Sequence, residues 1–282
     1  MADIRPDTGL DPLRGSGEPI DSTFGTPFDL NLIGLHTLYL KEVRRFLKVP
    51  GQTLAAPVVT TLMFLLIFTL ALGRGGRSIG DVPFLEFLAP GLIMMAIIQN
   101  AFSNTSSSIL ISKIQGNIVD LLMPPLRPGE LVFGLVAGGV TRGLLVAIVV
   151  MLAMQPFVHL VPLHPGLIAF HAVGGTLMMA LLGLLGGIWA EKFDQMAAIT
   201  NFVVTPLSFL SGTFYSIAQL PEPFHTIAAI NPLFYLIDGM RFGFTGHADG
   251  SLLVGVVLVL LVNAGLWLLA HRLIARGYRL KA

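Results

Sequence analysis

Long apolar runs alternate with short polar segments along the chain, and six of the runs are long enough to cross a bilayer. A membrane-spanning helix needs about 20 mostly apolar residues, because the hydrocarbon core is about 30 Å thick and a helix rises about 1.5 Å per residue. The pattern therefore predicts an all-α polytopic membrane protein. The six predicted spans are residues 53–73, 87–111, 131–154, 166–190, 196–214 and 252–273.

Two segments precede the first span. Residues 1–29 are rich in Gly, Pro, Asp and Ser and show no apolar periodicity, which is typical of a disordered tail. Residues 30–49 place Leu35, Tyr39 and Phe46 on one helical face. The basic residues of this segment gather on another face, at Lys41, Arg44, Arg45 and Lys48. A basic amphipathic helix beside a span is expected to lie in the membrane interface.

A polar segment at residues 112–130 separates spans two and three and reads SKIQGNIVDLLMPPLRPGE. Ile118 and Leu121 lie at helical spacing within it, with Asn117 and Asp120 on the other side. The prolines that follow end the helix. This pattern predicts a short amphipathic helix that docks a protein outside the membrane.

The distribution of basic residues predicts the orientation in the membrane. With the N-terminus inside, thirteen Lys and Arg residues lie in inner segments and three lie outside, at Arg74, Arg77 and Arg241. Inner loops carry the excess of positive charge in membrane proteins. Both termini and residues 112–130 are therefore expected in the cytoplasm.

Two spans carry polar stripes at helical spacing. Polar side chains at membrane depth face protein or water rather than lipid, so interhelical hydrogen bonding and a translocation path both remain open. Proline in span five is expected to kink that helix. The span-two stripe is Gln99, Asn100, Ser103, Asn104 and Ser107; span five has Asn201, Thr205 and Ser208 beside Pro206, with Phe202 and Phe209 as an apolar surface.

Arg142 lies near the middle of span three. A charge at that depth costs about 2.5–3.5 kcal/mol on insertion scales, so the side chain is expected to face the bundle or water. We expect a structural pairing with a polar group, such as one on span two. Direct contact with a substrate is the alternative.

The outer segment at residues 216–250 is long and not hydrophilic. Its prolines divide it into residues 224–230 and 233–244, each too short to cross the bilayer. They are expected to form short re-entrant helices in the outer leaflet, buried against protein. Asp238 and Arg241 are three residues apart and are expected to form a structural pair.

Composition supports a membrane protein and excludes several classes of site. Of 282 residues, 54% are hydrophobic and 12% are charged, against about 25% charged in an average soluble domain. A net charge of +1 provides no basic field for nucleic acid. The chain has no cysteine, which excludes disulfides and thiolate metal sites.

Motifs for catalysis are also absent from the sequence. There is no GxxxxGK[ST] loop for nucleotide phosphates and no HExxH. The seven histidines show no metal-ligand spacing, and the spans contain no paired carboxylates of the kind that proton-coupled carriers use. We therefore expect no enzyme, no metal site and no resident cofactor, and an energy source outside this chain.

Several stretches resemble a known family. TPLSFLSGTFYSIAQLP at residues 205–221, followed by NPLFYLIDGMRFGF at 231–244, resembles the signature of ABC-2 type permeases. KEVRRF at 41–46, APGLIMM at 89–95 and GGVTRGL at 138–144 are similar to the YadH-type branch, which is related to nodulation-factor exporter permeases. The similarity runs from about residue 38 to the C-terminus.

This resemblance implies an ATP-driven exporter for an amphiphile such as a drug, a lipid or a lipid-linked saccharide. Residues 50–282 would form the transmembrane domain of a bacterial inner-membrane half-transporter. It would pair with a second copy and with two ATP-binding subunits, which would supply ATP and Mg²⁺. An ion-coupled secondary transporter and a non-transporting membrane scaffold are the alternatives.

The resemblance also implies roles for particular residues. The stripes of spans two and five would line the path. The coupling residues would be Gln115, Asn117, Ile118, Asp120, Leu121 and Leu122, and the outer gate would be Phe214, Tyr215, Asp238 and Arg241.

Overall fold

The structure is a computed structural model that describes residues 30–72, 78–79 and 82–279. The predicted disordered tail and the outer residues Arg74 and Arg77 lie outside the described residues. The chain divides into an N-terminal unit, Met1–Asn31, and a main unit, Leu32–Ala282.

The described residues are almost entirely helical, as predicted. A two-residue antiparallel hairpin, β1 (Ser78–Ile79) and β2 (Val82–Pro83), is the exception. The helices are α1 (Leu32–Leu47), α2 (Ala56–Leu72), α3 (Phe84–Ile114), α4 (Ile118–Leu122), α5 (Pro128–Met154), α6 (Pro165–Trp189), α7 (Phe193–Ile199), α8 (Thr205–Ser208), α9 (Phe224–Ile230), α10 (Pro232–Thr245) and α11 (Leu252–Ala275).

Six stretches within the described residues are long and apolar enough to cross a membrane, which confirms the predicted number. Span two extends beyond its predicted ends, because Gly116, with φ of +72°, is the first residue to break the helix. The spans are Gly51–Ala71, Phe84–Ile114, Pro128–Met154, Pro165–Trp189, Phe193–Thr213 and Leu252–Ala275.

Span two lies at the centre of the bundle. In its most apolar window 83% of the residues are buried, against 11% in span one and 17% in span six. Gly183 and Gly187 of span four lie directly against the backbone carbonyls of Phe102 and Ser106. This contact brings the backbones of the two helices close together.

The helix of span five is interrupted, but the interruption does not lie at Pro206. Five-residue π segments, Thr200–Val204 and Phe209–Thr213, flank α8, and the backbone leaves helical geometry at Ser211 and Gly212, where Gly212 has φ of +76°. The prediction of a proline kink was therefore wrong in position, since the break lies five residues beyond Pro206.

Side chains replace the helical hydrogen bonds that this interruption releases. Backbone carbonyls at membrane depth need partners within the protein. The donor–acceptor pairs are Asn231 Nδ2 to Leu207 O at 3.1 Å, Thr213 Oγ1 to Ser208 O at 2.7 Å, Tyr215 Oη to Leu210 O at 3.1 Å and Arg241 Nη2 to Gly212 O at 2.6 Å.

Two short helices follow span five close to their predicted bounds. α9 covers the predicted residues, and α10 extends the prediction by one residue at each end. Gly239 and Gly243 of α10 lie against His171 and Ile168 of span four. α10 is thus buried against protein, while its insertion in the outer leaflet stays a prediction.

The packing of span four predicts different effects for two Gly→Ala substitutions. A β-carbon at Gly183 would clash with the Phe102 carbonyl, which cannot rotate away because it belongs to the backbone. We expect Gly183→Ala to lower stability by about 1–3 kcal/mol. Thermal unfolding of the purified protein in detergent measures this.

Gly265→Ala in span six is the matched control. Nothing lies within 4 Å of a β-carbon there, so this substitution should leave the melting temperature unchanged or raise it slightly. Equal melting temperatures for the two variants would contradict the described packing of spans two and four.

Candidate functional site

α1 packs closely against spans two and three. Gly134 and Gly138 of span three lie beneath Leu38 and Glu42 of α1, and a β-carbon on either glycine would clash with the side chain above it. Glu42 has no exposed surface, although it belongs to a helix expected in the membrane interface. The two glycines therefore allow a carboxylate to enter the bundle.

Arg45 neutralises this carboxylate and binds span two at the same time. Its guanidinium lies 3.1 Å from Glu42 Oε2, and it donates to the Asn104 carbonyl at 2.7 Å and to Asn104 Oδ1 at 3.0 Å. It also donates to Ser107 Oγ at 3.2 Å, while Ser108 Oγ donates to Glu42 Oε1 at 2.7 Å. Both charges are paired and hydrogen-bonded, as burial requires. We call these five residues the α1 anchor.

The α1 anchor corrects the prediction for the basic face of this helix. Lys41, Arg44 and Lys48 are exposed, whereas Arg45 turns inward and is only partly exposed. A helical pattern shows which residues share a face. It does not show that Asn104 and Ser107 of span two accept hydrogen bonds from Arg45, one of the four basic residues.

The polar stripe of span two is divided between the α1 anchor and an open cleft. Asn104, which is fully buried, and Ser107 belong to the anchor. Gln99, Asn100 and Ser103 instead line a cleft of about 220 Å³ between spans one and two. The span-one side of the cleft is formed by Gln52, Ala56, Pro57, Thr60 and Thr61. One part of the stripe therefore forms hydrogen bonds between helices, and another part forms an open polar surface. The role of the open part as a translocation path stays a prediction.

Arg142 reaches this cleft through Asn100. Its Nη2 donates to Asn100 Oδ1 at 3.1 Å, which confirms the predicted pairing with span two. Asn100 is neutral, so the hydrogen bond does not compensate the charge of the guanidinium.

Span five does not present its polar residues on one face. Asn201 is exposed, Thr205 is partly buried and Ser208 is fully buried. Asn201 lies within the π segment Thr200–Val204 and Thr205 follows it directly, and the wider turn of this segment shifts the helical phase. The expectation of a single polar face was wrong for this span.

The exposed side of span five is partly aromatic. Phe202 is 81% exposed and Phe209 is 36% exposed. Among the described residues, none from span five lines the cleft at span two. The two predicted parts of the path are therefore not brought together within one chain.

α4 buries the two residues that were expected to bind a partner. Ile118 is 2% exposed and Leu121 is 6% exposed, because both pack into the chain's own core. Val119 and Met123 are 50% and 75% exposed; both lie within the predicted docking segment but were not among its named coupling residues. The remaining predicted coupling residues are all exposed: Gln115, Asn117, Asp120 and Leu122.

The aromatic part of the predicted outer gate contacts span one. Phe214 stacks on Phe68 with ring centroids 4.5 Å apart and lies 5.7 Å from Phe64 and 5.4 Å from Phe209. Tyr215 is occupied by its hydrogen bond to the span-five backbone. Phe214 therefore belongs to a cluster of four phenylalanine rings, with Phe64, Phe68 and Phe209, that contains no charged group.

Asp238 and Arg241 form the predicted pair, 4.0 Å apart, inside the protein. Arg241 donates to the Phe87 carbonyl at 3.1 Å and lies over the Phe87 ring. Asp238 accepts from the backbone amides of Asp249 and Gly250 at 2.8 and 2.9 Å. Burial raises the pKa of the Asp238 carboxyl, and these two hydrogen bonds oppose the shift. The pair joins α10 to the start of span two and to the loop before span six.

The α1 anchor predicts that removing one charge costs more than removing both. Arg45→Gln leaves the Glu42 carboxylate buried without a cation, which should lower stability by about 3–5 kcal/mol. The double variant Glu42→Gln, Arg45→Gln contains no charge at this position and should recover part of the loss. Thermal unfolding of the purified single and double variants measures both effects.

Arg44→Gln is the control, because Arg44 is the exposed neighbour on the same helix. It should leave the melting temperature unchanged. An Arg45→Gln protein as stable as Arg44→Gln, or a double variant less stable than Arg45→Gln, would show that the buried ion pair does not hold α1.

Comparison with known proteins identifies the family of the chain. The family model for the ABC-2 type transporter matches residues 34–245. The chain is 36% identical over 252 residues to the inner membrane transport permease YadH of Escherichia coli strain K12, covering 89% of this chain and 98% of that protein. It is 30% identical over 217 residues to nodulation protein J of Rhizobium leguminosarum bv. viciae, covering 73% and 83%. The chain therefore belongs to the ABC-2 type transporter family and is a multi-pass membrane permease.

Proposed function

We propose that this chain is the permease subunit of an ATP-driven exporter in the bacterial inner membrane. The observation that carries the proposal is α4, a short helix that lies outside spans two and three and yet exposes Val119, Leu122 and the adjoining Met123, with Asp120 as the one charged residue among them. A permease without a nucleotide-binding loop needs an energy-supplying partner, and an apolar surface of this kind fits a protein contact. The name of the relative from Escherichia coli supports the inner membrane.

The proposed contact surface combines α4 with the start of α1. Leu32 and Ile33 at the beginning of α1 are 65% and 83% exposed, in addition to Val119 and Met123. A groove of about 250 Å³ separates the two helices. Its lining residues are Gly34, Thr37, Leu38, Lys41, Asp120, Leu121, Pro124 and Leu126. We assign this surface to an ATP-binding subunit, with both chain termini in the cytoplasm.

The proposed path crosses the membrane at an interface between two copies of the chain. The cleft at Gln99, Asn100 and Ser103 supplies neutral polar groups, which solvate a head group without holding it too tightly for release. The exposed Phe202 and Phe209 supply an apolar surface on span five. Because the two features do not meet within one chain, a second copy is needed to bring them together. An amphiphile fits such a path, since both polar and apolar surfaces are present.

The distribution of carboxylates favours an external energy source over an ion gradient. Ion-coupled carriers place acidic groups within their spans. In the described spans of this chain, carboxylates occur only in the first turns, at Glu86, Glu130 and Asp194. This observation supports the ATP-driven exporter over the ion-coupled secondary transporter.

Substitution of the exposed side of α4 tests the proposal. Met123→Asp places a charge in the proposed contact while leaving the chain's own core intact, because Met123 is 75% exposed. We expect the tagged variant to keep its melting temperature. We expect the ATPase activity that co-purifies with it from its native membrane to fall at least about tenfold, because an unpaired charge would be buried in the contact.

Leu163→Asp provides the matched control. Leu163 is 54% exposed and lies between spans three and four, on the opposite side in the proposed orientation. Its co-purifying ATPase activity should equal that of the unmodified protein. If Met123→Asp retains full activity, α4 is not the docking element. If the unmodified protein brings no ATPase activity with it, the proposed exporter itself is wrong.

A further inference from the structure

Arg45, Arg142 and Arg241 all reach into the described membrane-spanning bundle, and of these three the half-buried Arg142 is the one without a carboxylate. Arg45 pairs with Glu42 at 3.1 Å, and Arg241 pairs with Asp238 at 4.0 Å. Among the described residues, no Asp or Glu lies within 4.0 Å of the Arg142 guanidinium. Its Nε is buried and has no hydrogen-bond partner there. The charge therefore lies at mid-membrane depth with incomplete compensation.

The surroundings of Arg142 add positive rather than negative potential. Asn100, which accepts its hydrogen bond, lies one helical turn from Asn104, which accepts from Arg45. The two guanidinium groups therefore bind successive turns of the same face of span two. Glu42 compensates only Arg45, so this part of the bundle carries one net positive charge. In a medium of low dielectric constant, such a charge attracts an anion strongly.

The hydrogen-bond partner of Arg142 borders an open space. Asn100 lines the cleft of about 220 Å³ between spans one and two. The other polar side chains of the cleft are neutral: Gln52, Thr60, Thr61, Gln99 and Ser103. They are hydrogen-bond donors for an anion, and no lining residue is acidic. The guanidinium fork of an arginine matches the geometry of phosphate and carboxylate groups.

An apolar surface continues from the cleft along span one. Met63, Leu66, Ile67 and Leu70 follow the cleft residues in that helix, and each is at least half exposed. A ligand that places its head group in the cleft can therefore place an acyl chain against this face. The combination fits an anionic amphiphile better than a free anion.

We propose that Arg142 binds the phosphate or carboxylate head group of an anionic amphiphile in the cleft between spans one and two. The inference rests on the proposed export function, for which it names the class of substrate. Asn100 positions the guanidinium, and the neutral side chains of the cleft solvate the remaining oxygens of the head group.

The test measures binding to the purified permease alone, in nanodiscs of phosphatidylcholine, and so does not depend on an ATP-binding subunit. Dodecyl phosphate, dodecyl maltoside and inorganic phosphate are the probes. The unmodified protein should bind dodecyl phosphate at least about tenfold more tightly than dodecyl maltoside, because a charge-assisted hydrogen bond is lost with the neutral head group. Inorganic phosphate should bind weakly, since it lacks the acyl chain.

Two variants assign the preference to Arg142. Arg142→Lys keeps the positive charge and should keep most of the preference for dodecyl phosphate. Asn100→Asp supplies a carboxylate to Arg142 from within the protein, so it should remove the preference while leaving the melting temperature at or above that of the unmodified protein. This second variant avoids the loss of folding that removal of a buried arginine can cause.

Three results would overturn the inference. One is equal binding of dodecyl phosphate and dodecyl maltoside by the unmodified protein, as expected if a second copy already compensates Arg142. Another is an unchanged preference in Asn100→Asp. A third is inorganic phosphate binding as tightly as dodecyl phosphate, which would assign the cleft to a free anion. All three leave the ATPase result for Met123→Asp untouched.

Discussion

The hydrocarbon core of a bilayer offers no hydrogen-bond partners, so the polar groups that this chain carries to membrane depth must be satisfied by the protein itself. In the α1 anchor, Glu42 and Arg45 form an ion pair, and two serines and an asparagine of span two form hydrogen bonds with that pair. Lys113 meets this requirement at the end of the same span, where its ammonium donates to the Ile188 and Ala190 carbonyls at the end of span four. Around the broken span five, the lost helical bonds are replaced by side chains of Thr213, of Tyr215 just beyond it, and of Asn231 and Arg241 at α10.

Span two connects the proposed docking surface with the proposed path, because its polar groups bind side chains at both. Its Asn104 is bound by α1, and its Asn100, one turn away, lines the cleft and holds Arg142. A displacement of α1 by a docked partner would therefore act on the helix that forms one wall of the cleft. A rigid span two gives a direct physical route from the surface at α1 and α4 to the middle of the membrane.

Features that depend on length and on chain breakers could be predicted from the sequence. The spans were predicted within a few residues because their apolar length is dictated by the bilayer. The bounds of α9 and α10 followed from prolines. The pairing of Arg142 with span two followed from the cost of a buried charge.

Features that depend on what packs against a given face could not be predicted. The pattern in α4 showed an apolar side, but not that Ile118 and Leu121 are buried in the chain's own core while Met123 is exposed. The pattern in α1 grouped Arg45 with three exposed cations, although Glu42 and span two bind it. The π segments of span five have wider turns than an α-helix. Polar residues that share one face at 3.6 residues per turn are therefore spread over more than one face of this span.

The central claim is that the cleft at Gln99, Asn100 and Ser103 is part of a path that opens and closes with the ATP cycle. The chain has no cysteine, so Ser103→Cys introduces a single reactive thiol into the cleft. The direct measurement is the rate at which a water-soluble maleimide modifies this thiol in the purified complex, with and without bound ATP. Leu261→Cys, at a 68% exposed apolar position of span six, serves as the control. The account predicts a rate at Ser103→Cys that changes at least about tenfold between the two states, while the control rate stays constant. The same rate in both states, or no modification in either, would contradict it.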